Sequence, residues 1–356
     1  MEQHIMGQGR YIKRQDQEAK DQQQKKDNKK EQVMTKVMIV GGAGYIGTLL
    51  STELHERGYD VHVVDLMWFG NNLPSALKDK ARVADVFDLT QKDLEGFDSV
   101  VFVAGLSNDP MADYSPAKNF ISNSASPAYL AYIAKKAGVK RMVYASSCSV
   151  YGYAVDQFYD ETGPTTAVYP YGISKLQGEK SVMQMADDTF SVISFRKGTV
   201  SGVSPRMRFD LVVNAMFKTA VSTGTITMSN PAIWRPILSI KDCVSAYIRA
   251  IECDPSISGV FNIASENCTI GQIADIVKDT VEAYTGMNLK IVNNNVKDVR
   301  NYKVTCDKAK TILGFSPSCG VKQIVEDLLV NREIFGDMDN PAYYNIKTFI
   351  GMEQPK

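Results

Sequence analysis

The stretch "VGGAGYIG", residues 40–47, limits the fold more than any other segment of this chain. Its glycines at 41, 44 and 47 follow the apolar run "KVMIV" at 36–40 and open "YIGTLLSTELHERG" at 45–58. The first run reads as a short buried strand. The second carries Ile46, Leu49, Leu50 and Leu54 at helical spacing, with Gly58 as its stop. Spaced glycines between a strand and a helix imply a phosphate-binding turn. Gly41 permits the tight bend, Gly44 lets backbone approach a pyrophosphate, and Gly47 lets the helix lie close on the strand. The helix N-terminus then favours an anion. "DVHVVD" at 60–65 predicts the next strand and ends on Asp65, at the offset of a carboxylate that grips a ribose diol. Such a carboxylate bonds a 2′-hydroxyl and repels a 2′-phosphate. Leu66-Met67-Trp68-Phe69 come next without a cation, so the expected cofactor is NAD rather than NADP.

The alternation continues through "SVVFVAG" at 99–105, helical material ending near Gly138, "RMVYASS" at 141–147 and "FSVISFR" at 190–196. Strands and helices taking turns imply an α/β fold, a parallel sheet covered on both faces. After about residue 200 prolines at 205, 231, 236, 255 and 317 punctuate shorter elements. We expect a dinucleotide-binding domain over 35–200 and a smaller substrate-binding lobe over 201–340, with interleaved segments. A C-terminal extension, 341–356, would complete the chain. Residues 1–34, with "DQQQKKDNKKEQ" at 21–32, have almost nothing to bury and read as a disordered tail, the alternative being a partner-binding arm.

Composition removes several classes. Forty basic residues balance forty acidic ones, so no overall field draws the chain to nucleic acid or to an anionic membrane. No apolar run is long enough to span a bilayer, and the N-terminus lacks the apolar core of a secretory signal. Six cysteines without a CxxC pair read as reduced thiols in a cytoplasmic protein. The three histidines, at 4, 55 and 62, have no metal-ligand spacing, which argues against a metal site and against Ser-His-Asp chemistry. A base of another kind is needed.

"VYPYGISKL", 168–176, offers one. Lys175 lies four positions after Tyr171, which puts both on one face of a helix. An ammonium beside the phenol would favour the phenolate and lower a pKa that is ordinarily about 10. The competing reading is an ordinary amphipathic helix.

With the glycine turn, "YASSCSVYG" at 144–152 and "YPYGISK" at 169–175, the chain resembles the extended short-chain dehydrogenase/reductases. Within them it is similar to the nucleotide-sugar epimerase/dehydratase group, in its UDP-glucose 4-epimerase-like branch, over about residues 36–335. The resemblance implies a Rossmann-type doubly wound parallel sheet with a smaller C-terminal substrate lobe. It also implies an NAD-dependent enzyme and a nucleoside-diphosphate sugar as substrate. By position, Tyr171 would be the acid/base, Lys175 would hold the nicotinamide ribose and lower the Tyr171 pKa, and Ser147 would bond the reacting oxygen, with Ser146 as the neighbour to be told apart from it. Tyr169 has no matching lysine and reads as packing or a substrate contact. Besides Gly41, Gly44, Gly47 and Asp65, the implied cofactor contacts are Tyr45, Ile46, Asp85, Val86, Ala104, Gly105 and Leu106. Ser107, Asn108 and Asp109 would face the sugar, although these positions also read as plain loop. Arg235, Arg300, Arg208 and Asn214 are candidates for the nucleotide or sugar, because a diphosphate is a dianion and calls for cations.

The two residues after Ser147 narrow the reaction. Dehydratases of this group resemble Thr-Asp-Glu there, whereas this chain has Cys148-Ser149 and no carboxylate. Related decarboxylases also carry an acid at that point. Enzymes that shuttle protons with Cys and His find no histidine downstream, so Cys148 reads as packing. Hydride chemistry at one sugar carbon remains, C4 by resemblance, with a 4-epimerase favoured and a dehydrogenase or 4-ketoreductase as alternatives. A non-catalytic NAD-binding regulator or a structural subunit acting through the tail is the reading from another class. Family members usually form homodimers through two helices, here the one before Gly138 and the one carrying Lys175.

Overall fold

Strands β1, Lys36–Val40, and β2, Asp60–Asp65, have the bounds expected from the sequence. They are followed by β3, Ala81–Val83, β4, Ser99–Phe102, and β5, Arg141–Ser147. Then come β6, Tyr153–Tyr159, β7, Ser191–Lys197, β8, Thr199–Ser201, β9, Thr225–Met228, and β10, Trp234–Ser239. Last are β11, Gly259–Ile263, β12, Glu266–Thr269, β13, Lys290–Asn293, and β14, Asn301–Val304. The computed structural model describes residues 34–294 and 301–353.

Seven strands form one sheet in the order β11-β7-β5-β4-β1-β2-β3, every neighbouring pair parallel. The continuous apolar runs demand cover on both faces, and alternation decides which face each residue takes. Val37, Ile39, Val101 and Val143 enter one core. Met38, Val40, Val100, Phe102, Met142 and Tyr144 enter the other, beneath Leu130, Ala131, Ile133 and Ala134 of helix Ser126–Lys136. Helix Tyr45–Glu56 buries Leu50 and Leu54 completely, worth about 2 kcal/mol each, while Ile46 and Leu49 are half-buried at its margin. The order reverses between β1 and β4, and such a switch point opens a crevice at the carboxyl ends of the strands.

Two strands differ from expectation in their bounds. β4 stops at Phe102 because the N–H groups of Val103 and Ala104 both turn to the Val40 carbonyl, and Gly105, at φ +129°, leads the chain away. β7 starts and ends one residue later than the run that predicted it. β11 comes from the second half of the chain yet forms the sheet's outer edge beside β7. Helix Ile240–Glu252 packs on helix Tyr45–Glu56. The remaining strands make small pairings: β8, β10 and β12 in one sheet, β9 with β13, and β6 with β14. Helix Asn345–Glu353 folds back on the first half, seating Phe349 against Leu106, Met111 and Trp68.

The glycine turn leaves no space at Gly47, where a Cβ would lie 2.1 Å from Gly41 O and 2.6 Å from Gly42 Cα. Both neighbours are backbone and cannot rotate away. Gly47→Ala should therefore cost about 1–3 kcal/mol, read as a lower urea midpoint. Gly351→Ala, where a Cβ meets nothing, should leave the midpoint unchanged or slightly higher.

Candidate active site

A cavity of about 520 Å³ opens at the carboxyl ends of the strands, a size suited to a small-molecule ligand. It is lined by Gly41, Gly44, Tyr45, Ile46 and Gly47 from the first turn, Asp65 from β2, and Asp85 and Val86 beyond β3. Ala104, Gly105, Leu106, Ser107, Asn108 and Asp109 enter from beyond β4, Ser147 from the end of β5, and Tyr171 and Lys175 from helix Pro170–Met183. Arg208 and Arg235 also line it. Asn214 is absent from this wall. It is fully buried, receives the Gly202 N–H, and donates to the Tyr45 phenol and the Arg208 carbonyl, so its amide is spent on the protein. Arg300 lies outside the described residues.

At one end the wall suits a dinucleotide. Gly41 sits at φ +86°, and a Cβ there would stand 2.4 Å from Ala104 N, so the ends of β1 and β4 touch. A Cβ on Gly44 would meet only Gly41 O, at 3.2 Å. Gly44 is the N-cap of helix Tyr45–Glu56, and no side chain caps that helix or puts an acid in its first turn. Its leading N–H groups are thus disposed toward an anion. Asp65 accepts from Ala43 N at 3.0 Å and from Met67 N at 2.8 Å, and each oxygen keeps acceptor capacity for a ribose hydroxyl. Burial raises its pKa. Asp85 accepts from Phe87 N at 2.9 Å and fixes the turn that presents Val86. These residues fit NAD.

At the other end stand Tyr171, Ser147 and Lys175. The helix that carries Tyr171 begins with Pro170, whose fixed φ suits the first helical position, and Tyr169 is its half-buried N-cap. Gly172 lets this helix close on the Cys148–Tyr151 turn, since a Cβ there would be 2.7 Å from Ser149 O. That contact brings the phenol to Ser147. Burial pushes the Tyr171 phenol up to about 12. A hydrogen bond with Ser147 pulls it back down, as does the charge of Arg208, while Asp109 and Tyr302 push it up. Lys175, 4% exposed, is itself held well below the usual lysine range by burial and by Lys197. Ser147 and Arg208 thus oppose the effect of burial on the phenol. Helical spacing gives a shared face, but it says nothing of what burial does to each group.

Lys175 Nζ lies 5.4 Å from the Tyr144 ring centre and beside Gly105, where a Cβ would come within 3.4 Å of it and 2.2 Å from Asn123 Oδ1. Asn123 belongs to a π-helical turn, Ile121–Ala125, and donates to the Leu106 carbonyl at 2.8 Å, tying down the Gly105–Leu106 loop. Ser146 points its buried hydroxyl to no partner among the described residues, whereas Ser147 accepts from Ser149 N at 3.1 Å. Cys148 donates its thiol to the Arg196 carbonyl, and burial raises its pKa well above the ordinary value. It is a neutral packing residue.

Charged side chains fill the rest. Arg208 makes a two-pronged pair with Asp210, at 2.8 and 3.0 Å, and donates to Ser107 Oγ at 2.9 Å. Asn108 also donates to Asp210. Arg235 is 8% exposed, with its guanidinium 5.7 Å from the Tyr302 ring centre. Sequence reasoning did not single out Phe69, Asn123, Lys197, Arg206, Tyr302 or Asn345, although all but Asn123 line the cavity. Only Arg206 had a signal, in "PRMR" beside Arg208.

The described residues contain no cluster of metal ligands and no helix long and apolar enough to cross a membrane. Residues 37–264 match the NAD dependent epimerase/dehydratase family. The UDP-glucose 4-epimerase of Lactobacillus helveticus is 26% identical over 307 residues, covering 79% of this chain and 92% of that one. UDP-glucose 4-epimerase 3 of Oryza sativa subsp. japonica is 27% identical over 331 residues, covering 82% and 88%. Among solved structures, MoeE5 in complex with UDP-glucuronic acid and NAD superposes with a TM-score of 0.75 at 24% identity, over 84% of this chain and 99% of that one. The UDP-N-acetylglucosamine 4-epimerase from Methanobrevibacter ruminantium M1 gives 0.74 at 19%, over the same shares. The family match spans well over half of the chain, and the glycine turn and cavity agree with it: this protein is an NAD-dependent enzyme of the NAD dependent epimerase/dehydratase family.

Proposed function

We propose that the protein is a 4-epimerase of a nucleoside-diphosphate hexose. The observation that carries the reading is the meeting of Tyr171, Ser147 and Lys175 on one cavity wall, with Cys148 and Ser149 where an acid would stand in a dehydratase. The relatives named as UDP-glucose 4-epimerases support both the sugar carbon and a uridine nucleotide. NAD, which the glycine turn, Asp65 and Lys175 would hold, would supply the hydride acceptor and donor for the sugar carbon. Tyr171 accepts the proton of the C4 hydroxyl and later gives it back, and Ser147 hydrogen-bonds the same oxygen and steadies the phenolate. Lys175 holds the nicotinamide ribose. Ser107 and Asn108 face the sugar, and Arg208, Arg235 and Arg300 serve its diphosphate. The protein is further proposed to be cytoplasmic and to form a homodimer through helices Ser126–Lys136 and Pro170–Met183.

A panel of nucleotide sugars, followed by NMR, tests the reaction. The C4 epimer should form without added NAD and without release of NADH; stoichiometric NADH would instead mean a dehydrogenase. Tyr171→Phe should leave NAD affinity nearly intact and lower kcat by about 10²–10⁴-fold. Unimpaired turnover in that variant would falsify the role of Tyr171.

Ser147→Ala removes the strongest pull against burial, so the Tyr171 pKa should rise. Activity that requires phenolate should then climb only at higher pH, visible as an alkaline shift of the rising limb of kcat/KM. The Cys148 thiol, held neutral by burial, should resist iodoacetamide at pH 8, and Cys148→Ala should retain turnover. A large loss of kcat in that variant would revive a cysteine proton shuttle.

A further inference from the structure

Arg206 stands apart from the other cations of the cavity. It is 3% exposed, its guanidinium centre lies 3.7 Å from the Phe69 ring centre, and one terminal nitrogen donates to Asn345 Oδ1. Its Nε is buried with no acceptor among the described residues. Arg208, two positions on, has a carboxylate partner in the two-pronged pair with Asp210. Among the described residues no carboxylate comes within ion-pair distance of Arg206, and Asp210 and Asp65 act on it only from farther away. Burial and the neighbouring charge of Arg208 push its pKa down to about 9. A buried guanidinium with an unfilled donor on a cavity wall is costly unless an anion meets it.

The surroundings say which anion. Tyr45 belongs to the glycine turn, Asp65 ends β2, and Phe69 lies in the loop just beyond it. All three mark the dinucleotide end rather than the Tyr171 end. The turn itself offers backbone N–H groups but no full positive charge, and a buried diphosphate calls for one. We propose that Arg206 is the cationic contact to the diphosphate of bound NAD, and that the C-terminal helix Asn345–Glu353 is the strap that holds it in place.

Asn345 ties three segments together. It receives Arg206, donates through Nδ2 to Ser107 Oγ at 2.9 Å, and donates its backbone N–H to Asp210 at 3.2 Å. One turn on, Phe349 is buried against Leu106, Met111 and Trp68, the indole ring centre 5.5 Å away. The last helix therefore joins the loops after β2 and β4 to the arginine segment of the second half. Arg206 contacts the ligand, and Asn345 is a positioning residue. The inference holds whether the sugar is epimerised or oxidised outright.

Calorimetry on the full chain, stripped of NAD, tests it with NAD, ADP-ribose and UDP as separate ligands. Arg206→Met should weaken NAD and ADP-ribose by about 10- to 100-fold, the scale of hydrogen bonds to charged groups, and should flatten the salt dependence of binding. UDP affinity should not change. Arg206→Lys keeps the charge without the fork and should lose less. Asn345→Asp, confirmed folded by circular dichroism, gives Arg206 a carboxylate to pair with and should weaken NAD although the strap still docks. Asn345→Gln, which keeps an uncharged acceptor, should restore most of the affinity. The proposal is overturned if NAD affinity is unchanged in Arg206→Met, or if UDP affinity falls in its place, which would assign Arg206 to the substrate's diphosphate. Should Arg206→Met fail to fold, unchanged NAD affinity in Asn345→Asp overturns it equally.

Discussion

Close backbone approach at the carboxyl ends of β1 and β4 is the constraint on which the site rests. Three positions there have no room for a single methyl group: Gly41 against Ala104, Gly47 against the Gly41 carbonyl, and Gly105 against Asn123. Because these segments touch, the first turn, the loop after β4 and the helix with Tyr171 and Lys175 share one cavity wall. A parallel sheet supplies this arrangement cheaply, since all its strands end on the same side and the reversal of order between β1 and β4 spreads the loops apart.

Binding anions sets the electrostatic character of the cavity, and the fold bears the cost. Lys175, Lys197, Arg206, Arg208 and Arg235 line it, while Asp65, Asp109 and Asp210 offset part of their charge. Lys175 and Lys197 have pKa values lowered by burial. A lysine whose pKa is lower folded than unfolded destabilises the fold at neutral pH, and the penalty fades as pH rises toward the ordinary lysine value. Negatively charged ligands offset it, so NAD and a nucleotide sugar stabilise the folded chain by mass action as well as reacting in it.

Local features are legible in the sequence, and long-range ones are not. Apolar runs locate β1, β2 and β5, because the information that makes a buried parallel strand lies within a few residues. The glycine turn, Asp65 and the Tyr171–Lys175 spacing are short patterns of the same kind, Ser147 follows from the family resemblance, and all of them lie on the cavity wall. Asn214 shows the limit: its position matches, but its amide serves Tyr45, Gly202 and Arg208. Asn345 lies 139 residues from Arg206, and no pattern in the last helix announces that contact. The pKa of Tyr171 escapes sequence reading for a related reason, since four-residue spacing reveals a neighbour but not the desolvation that outweighs it.

The seventh strand carries a consequence for how the chain comes into being. β11 covers the outer edge of β7, yet more than sixty residues separate them, with helices Val212–Thr223 and Ile240–Glu252 in between. During synthesis β1 to β5 and β7 leave the ribosome with one side of the sheet bare, a row of unsatisfied N–H and C=O groups open to other nascent chains. Only when Ile263 has emerged can that margin close. Cutting the gene after residue 200 would make the exposure permanent, so the first half is a poor candidate for expression on its own.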